Sequence, residues 1–104
     1  MKKGEVWWAT LQKPIGTRPV VLLSRDESYR FRNACTIAQV TSRIRNIPVE
    51  VLLDQKDGLP IKSVVNLDTL ETIQKSKLKR KICTLKPDKI KAINKAIKFA
   101  LDLE

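Results

Sequence analysis

Apolar residues fall along this chain in short runs broken by glycine, proline and polar clusters, until a different period takes over near residue 87. Gly4 to Leu11 (GEVWWATL) reads as a first strand, closed by the turn-forming Lys13-Pro14-Ile15-Gly16. Val20-Val21-Leu22-Leu23 is apolar at successive positions, the pattern of a strand buried on both faces or lying in a closed barrel, although period alone does not separate it from a helix segment. Ala34 to Thr41 is a third strand, Val49 to Leu53 a fourth, Ser63 to Leu67 a fifth and Glu71-Thr72-Ile73 a short sixth, with a turn at Asp57-Gly58-Leu59-Pro60. From Pro87 to Leu103, Ile90, Ile93, Ile97, Ala100 and Leu101 recur at helical spacing with Ala96, while Lys91, Lys95, Lys98 and Asp102 face away. Pro87 suits a first helical turn and Asp88 the positive end of the helix dipole. Short strands followed by one amphipathic helix predict a mainly β chain, a small barrel capped by a C-terminal helix.

The stretch Gly16-Thr17-Arg18-Pro19 sets an arginine at the mouth of the second strand. A residue before proline is pushed to extended geometry, and Pro19 has no N–H for a ladder, so it suits a strand's first position or an edge. Arg18 is therefore preset and extended, either as a solvated strand start or as a grip on an anion. Trp7 and Trp8, adjacent on a strand, point to opposite faces, which places one in the core and leaves the other for an interface, solvent or a stacked base. In the polar loop from Arg25 to Asn33, Tyr29 and Phe31 interleave with arginines, an arrangement that serves base stacking or a cap over the core equally well.

Charge sharpens this picture. With 21 Lys and Arg against 11 Asp and Glu, the net charge of +10 favours an anionic partner, set against a chain that merely solvates itself with lysine. Arg25, Arg30, Arg32, Arg43 and Arg45 crowd the first half, and planar guanidinium forks suit phosphate better than lysine does. The lysines dominate the second half, including the run Lys77 to Lys81. Histidine is absent, which removes the commonest general base, the histidine-dependent triads and most transition-metal sites. Cys35 and Cys83 lie far apart in apolar surroundings and read as two buried, reduced thiols. The 104 residues suit one domain with its own core. No apolar stretch has the length of a membrane span and MKKGEVWW lacks a leader's apolar centre, so a cytoplasmic protein without a membrane partner is expected.

Gly4-Glu5-Val6-Trp7 with Leu11, Gly16-Thr17-Arg18-Pro19-Val20-Val21 ending in Ser24, a strand ending in Thr41, Gly58-Leu59 ahead of Ser63-Val64-Val65, and Leu70 with Thr72-Ile73 form an ordered set. Over nearly the whole chain this set resembles the MazF/PemK/Kid toxins of toxin-antitoxin modules. The resemblance implies an SH3-like barrel with a C-terminal helix that works as a homodimer. It implies a metal-independent, cofactor-free endoribonuclease that cuts single-stranded mRNA at short sequences, inhibited when an antitoxin's acidic tail occupies the RNA groove. It puts Arg18 on the active-site arginine, Thr41 on the threonine that contacts the scissile phosphate, and Asp68 where some members carry an active-site acid. Arg25, Arg43 and Arg45, with Ser24, are the accompanying candidates for RNA contact. The chain departs from part of the family in carrying Asn66 where some members have arginine, and in a shorter first loop, Gln12 to Thr17, without the histidine or acid found there in others.

In-line attack by a 2′-hydroxyl on its own phosphate develops charge on the phosphoryl oxygens, which a fixed guanidinium and a hydroxyl donor stabilise. Arginine, with a pKa above ~12, does not serve as the proton donor. Plainer roles stand beside these: Thr41 as a strand-end hydroxyl satisfying a backbone group, and Asp68 as part of an ordinary turn. A non-catalytic SH3-like module binding RNA or an acidic protein, or a ribosome-associated basic protein, would use the same arginines without breaking a bond.

Overall fold

The computed structural model describes residues 1–104, in which six strands form a single sheet: β1 (Glu5–Thr10), β2 (Thr17–Leu22), β3 (Ala34–Thr41), β4 (Glu50–Leu53), β5 (Ser63–Gln74) and β6 (Leu78–Thr84). A one-turn helix, α1 (Ser28–Phe31), precedes β3, and α2 (Pro87–Ala100) follows β6. The strand order is β4-β5-β3-β2-β1-β6 with every neighbouring pair antiparallel. The sheet curls into a half-barrel, the small-barrel class with a C-terminal helix that the sequence predicts.

The double-sided apolar run explains why the sheet has a core on each face. Successive side chains of a strand point to opposite sides. Val21 therefore joins Val6, Ala38, Val40, Val65 and Leu67 under Ile93 and Ala96 of α2, while Val20 and Leu22 join Ala9, Cys35, Ile37 and Tyr29 on the other side. Fully burying one such aliphatic side chain is worth about 1.5–3 kcal/mol, so β2 and β3 are pinned from both directions. Tyr29, 6% exposed, caps the second core, the packing role open to that loop's aromatics, whereas Phe31 is 83% exposed. Trp7 packs on the second core and Trp8 faces the opposite side, both half-buried. Cys35 lies in the second core and Cys83, only half-buried, against the first; both are free thiols, and burial pushes both upward in pKa.

Three expected boundaries move. Glu71 to Ile73 is no separate strand but the far half of β5, which runs unbroken from Ser63 to Gln74. Its register against β3 jumps between Ile37↔Glu71 and Gln39↔Asn66, so Leu67 to Leu70 form a bulge there, with Leu67 still in the first core, and the Asp68-Thr69 turn chemistry serves that bulge. The sixth strand is instead β6, built from the lysine run. It is an edge strand, where charged side chains on exposed positions deter pairing with other chains, and only Leu78 is buried. Finally, α2 stops at Ala100 rather than Leu103, because Asp102 takes φ 56° while its own N–H and that of Leu103 return to the carbonyls of Phe99 (3.2 Å) and Lys98 (2.7 Å). No helix is long and apolar enough to cross a membrane.

Two features tie the edge to the barrel. Gly58 has φ 105°, and a Cβ there would stand 2.6 Å from Cβ of Cys83 on β6. A backbone strain of about 1–3 kcal/mol attends a non-glycine residue in such a conformation, so Gly58→Ala is expected to destabilise by at least that amount in urea denaturation. Cys83→Ala keeps the clashing Cβ and should not rescue it; a Gly58→Ala protein as stable as the parent would refute this account. The second tie is Glu5, 7% exposed, which accepts the Trp7 indole N–H at 2.9 Å and faces Lys81 Nζ at 3.4 Å. Burial works to raise its pKa, but the indole hydrogen bond and the Lys81 charge outweigh it and hold the carboxyl below the usual 4.5. The folded state thus binds fewer protons than the unfolded, and the stabilisation is full above about pH 4.5 and lost as pH falls through the folded-state value. Glu5→Gln should lose stability at neutral pH, with its gap to the parent narrowing on acidification below about pH 4.5; a gap that stays constant with pH contradicts the assignment.

Candidate active site

Pro19 opens the site. Gly4 N–H donates to Leu22 O and Leu23 N–H donates to Thr36 O, so even-numbered residues of β2 address β1 and odd-numbered ones address β3. Position 19 would hand its amide hydrogen to β3, and proline has none. The registered β2–β3 pairing runs Leu22↔Ile37, Val21↔Ala38, Val20↔Gln39 and ends there. Continued by two residues, the same register sets Arg18 opposite Thr41. The two residues therefore face each other across an unzipped ladder end, and space opens between them.

That space is two cavities sharing Arg18 and Thr41 as a common wall. One, about 290 Å³, is lined by Arg18, Gln39, Thr41, Arg43, Arg45, Asn66 and Thr69, with no apolar residue and no carboxylate. The other, about 260 Å³, adds Trp8, Pro19, Val40 and the Leu59-Pro60-Ile61 loop. Arg18 Nη1 donates to Gln39 Oε1 at 2.9 Å, and Gln39 Nε2 donates in turn to Glu71 Oε1 at 3.1 Å. The guanidinium is thus oriented by a neutral amide rather than neutralised by an acid. Thr41 Oγ1 accepts the Arg43 N–H at 3.2 Å, which fulfils the plain strand-end role, yet its own hydroxyl hydrogen has no protein acceptor and remains available.

The surrounding loops hold these groups in place. Thr69 Oγ1 donates to Asn66 O at 2.6 Å and accepts Gln39 N–H at 2.9 Å, filling the register jump behind the cavity. Asn66 Oδ1 accepts Asp68 N–H at 2.9 Å and its amide hydrogens have no protein acceptor. The arginine-bearing turn after β3 is clamped by Glu50, whose Oε1 takes the N–H groups of both Arg45 (2.9 Å) and Asn46 (3.0 Å), the latter at φ 55°.

The structure brings Arg18, Thr41, Arg43 and Arg45 together in one cavity and leaves three other candidates outside it. Ser24 is half-buried and its hydroxyl accepts Thr36 N–H at 2.8 Å, a structural bond between β2's end and β3. Arg25 stands in the loop before α1, 3.6 Å from Glu27. Asp68 is exposed on the β5 bulge and lines neither cavity. Gln39, Thr69 and Asn66, which do line it, were not among the candidates; the one available signal was a glutamine standing within the otherwise apolar end of ACTIAQVT. No group of three or more His, Cys, Asp or Glu side chains suited to a metal ion is present.

Residues 2–101 match the family of the PemK-like, MazF-like toxins of type II toxin-antitoxin systems. The chain is 37% identical over 101 residues to the probable endoribonuclease MazF5 of Mycobacterium tuberculosis, covering 96% of this chain and 92% of that one. It is 33% identical to the endoribonuclease MazF of Staphylococcus saprophyticus, over 99% and 92% of the two chains. Among solved structures, the Mycobacterium tuberculosis toxin MazF-mt6 superposes with a TM-score of 0.89 at 32% identity, over 96% of this chain and 98% of that one. A mycobacterial endoribonuclease in complex with its cognate antitoxin does so at 0.89 and 26% identity, over 100% and 97%.

The role of Pro19 is open to direct test. Pro19→Val returns a hydrogen-bond donor facing Val40 and removes the obstacle to pairing Arg18 with Thr41. The expected outcome is a new, exchange-protected amide at position 19 by hydrogen exchange and a smaller opening between the two strands. A residue-19 amide that exchanges as fast as free peptide would show that something else parts the strands.

Proposed function

The chain belongs to the PemK-like, MazF-like toxins of type II toxin-antitoxin systems, and on that premise we propose that it is an endoribonuclease toxin, restrained by a cognate antitoxin, whose cleavage site is the cavity between Arg18 and Thr41. The observation that carries the reading is the lining of that cavity: three guanidiniums, a free hydroxyl hydrogen and free amide hydrogens converge on one space with no carboxylate to neutralise them. Such a space suits a phosphodiester. Arg43 and Arg45 hold the backbone of single-stranded mRNA in register, and Arg18 with Thr41 takes the phosphate whose bond is broken.

The reaction this geometry serves is displacement within the substrate. The 2′-oxygen of one nucleotide bonds to the adjacent phosphorus as the bond to the 5′-oxygen of the next nucleotide breaks, leaving a cyclic phosphate on one fragment and a hydroxyl on the other. Charge accumulates on the non-bridging oxygens, where the Arg18 guanidinium and the Thr41 hydroxyl donate. The proton lost by the 2′-hydroxyl and the proton gained by the 5′-oxygen pass through water, since no carboxylate lines the cavity and a guanidinium does not release its protons. Asp68 is proposed only as an outlying acid whose charge opposes strand entry near the bulge. The donor set of guanidinium, amide and hydroxyl groups offers a metal ion no anionic ligand, and the reaction is proposed to run without one. An antitoxin with an acidic tail fits the same cationic cavity and would compete with RNA there, and a homodimer is inferred as the working form.

Purified protein and a messenger-length single-stranded transcript in EDTA test the reading. Cleavage is expected to persist without divalent metal, and Arg18→Ala to lower kcat by about 10²–10³, the loss that follows removal of one preorganised donor. Arg18→Lys should not restore it, because a point charge does not reproduce the fork that Gln39 orients. Thr41→Val should lower kcat with KM unchanged. A parent protein that binds the transcript without cutting it would convert the reading to that of a binding module, and undiminished cleavage by Arg18→Ala would remove Arg18 from the chemistry.

A further inference from the structure

Trp8 and Arg80 stand directly opposite each other across β1 and β6, and Arg80 lines neither of the cavities just described. They bound a third cavity of about 340 Å³ together with Gly58, Pro60, Lys81 and Ile82. Trp8 and Pro60 also line the cavity that holds Arg18 and Thr41, so the two spaces meet at the indole. The neighbouring basic groups differ in their freedom: Lys81 is 3.4 Å from the Glu5 carboxylate, whereas Arg80 is exposed and forms neither an ion pair nor a side-chain hydrogen bond. The two indoles differ likewise. The N–H of Trp7 is spent on Glu5, while that of Trp8, on a half-buried ring, has no acceptor in the protein. Gly58 and its close approach to Cys83 fix the facing wall.

We propose that this cavity is a second nucleotide subsite, in which Trp8 stacks a base flanking the cleaved bond and Arg80 neutralises a backbone phosphate beyond it. The assignment rests on the ribonuclease reading above. An aromatic face beside a free guanidinium matches the alternation of base and phosphate along a single strand. An acidic peptide would use the cations and leave the indole idle. β2 and β6, which carry Arg18 and Arg80, flank β1, so their backbones lie two interstrand spacings apart, about 10 Å, a separation that a short extended piece of RNA spans. The site is sequence-tolerant, since every base has a face to stack, and its contribution lies in substrate affinity rather than in the chemical step.

The probe is an unstructured, uniformly 2′-O-methylated oligonucleotide, which has no 2′-hydroxyl to attack and so reports binding alone. Trp8→Leu is expected to weaken its binding about tenfold. Arg80→Gln should reduce the slope of log affinity against log salt by about 0.7, the loss of one phosphate contact on a single strand. On a cleavable transcript both variants should raise KM and leave kcat unaltered. Arg80 lies on an exposed edge, so its variant carries the test even if Trp8→Leu folds poorly. Parental affinity and an unchanged salt slope in Arg80→Gln would overturn the proposal, as would a variant that binds RNA normally but loses the antitoxin. Failure of the parent to cleave in EDTA would remove the ribonuclease reading instead, and the binding measurements would still decide the subsite.

Discussion

Pro19 sits in β2 where the strand would hand an amide hydrogen to β3, and because it has none the registered pairing of the two strands ends one residue past it, at Val20↔Gln39. The residues of the proposed cleavage site are arranged around that interruption. Had the pairing continued, Arg18 and Thr41 would face each other as an ordinary cross-strand pair on a closed sheet. Instead they border cavities on either side of the opening. The gap is stable because the strands that flank it are not free to close or splay. Val20, Val21 and Leu22 lock β2 into cores on both faces of the sheet, and Ile37, Ala38 and Val40 do the same for β3. A slip of register by one residue would carry every side chain of these strands to the other face, so the side chains packed into the two cores hold the strand ends apart.

Preorganisation spreads outward from this gap through polar contacts rather than apolar ones. Gln39, the last residue of β3 in register with β2, aims its carbonyl at Arg18 and its amide at Glu71, while its backbone N–H is taken by Thr69 in the β5 bulge. The bulge is thus the mirror of the proline: one leaves β3 without a partner on one side, the other supplies a side-chain acceptor where the ladder on the other side is broken. Glu50 performs a similar service for the turn beyond Thr41. It gathers two adjacent amides that a left-handed Asn46 has turned away from any strand, so the arginines on that turn are presented by a fixed backbone.

Those two levels differ in how legible they were. The apolar run of β2, the extended Arg18 and the hydroxyl that ends β3 were all readable, since proline's geometry and the two-residue period act locally. The gap itself was not, because it depends on which face of β2 addresses β3, a matter of register that emerges only when all the strands are paired. Likewise, β6 was hidden by its own composition: Lys79, Arg80 and Lys81 read as a solvated charge run, and an edge strand can afford that composition because one side of it pairs with nothing. Asp68 stands outside the cavity for a reason invisible in the sequence, since it lies exposed within the register jump of β5 against β3. Ser24 and Arg25 lie outside the cavities, one bonded to a backbone amide of β3 and the other beside Glu27.

The distribution of charge then decides what kind of molecule the opening receives. Of the 21 basic residues, Arg25, Lys81 and Lys89 stand in ion pairs, and none of these lines the cavity of Arg18. Of the acids near that cavity, Glu50 takes two backbone amides on its Oε1 and Glu71 accepts from Gln39, and neither pairs with an arginine. A guanidinium held by a neutral amide keeps its full charge, and three of them around one space raise the local potential in a way that scattered surface lysines do not. Their mutual repulsion would push such side chains apart on a flexible loop. Here the backbone that carries them is fixed by the two cores, by Glu50 and by the Thr69 bridge, so the three guanidiniums are presented around one space. That concentration of positive charge on a fixed backbone is what makes a polyanion the partner the proposed site suits.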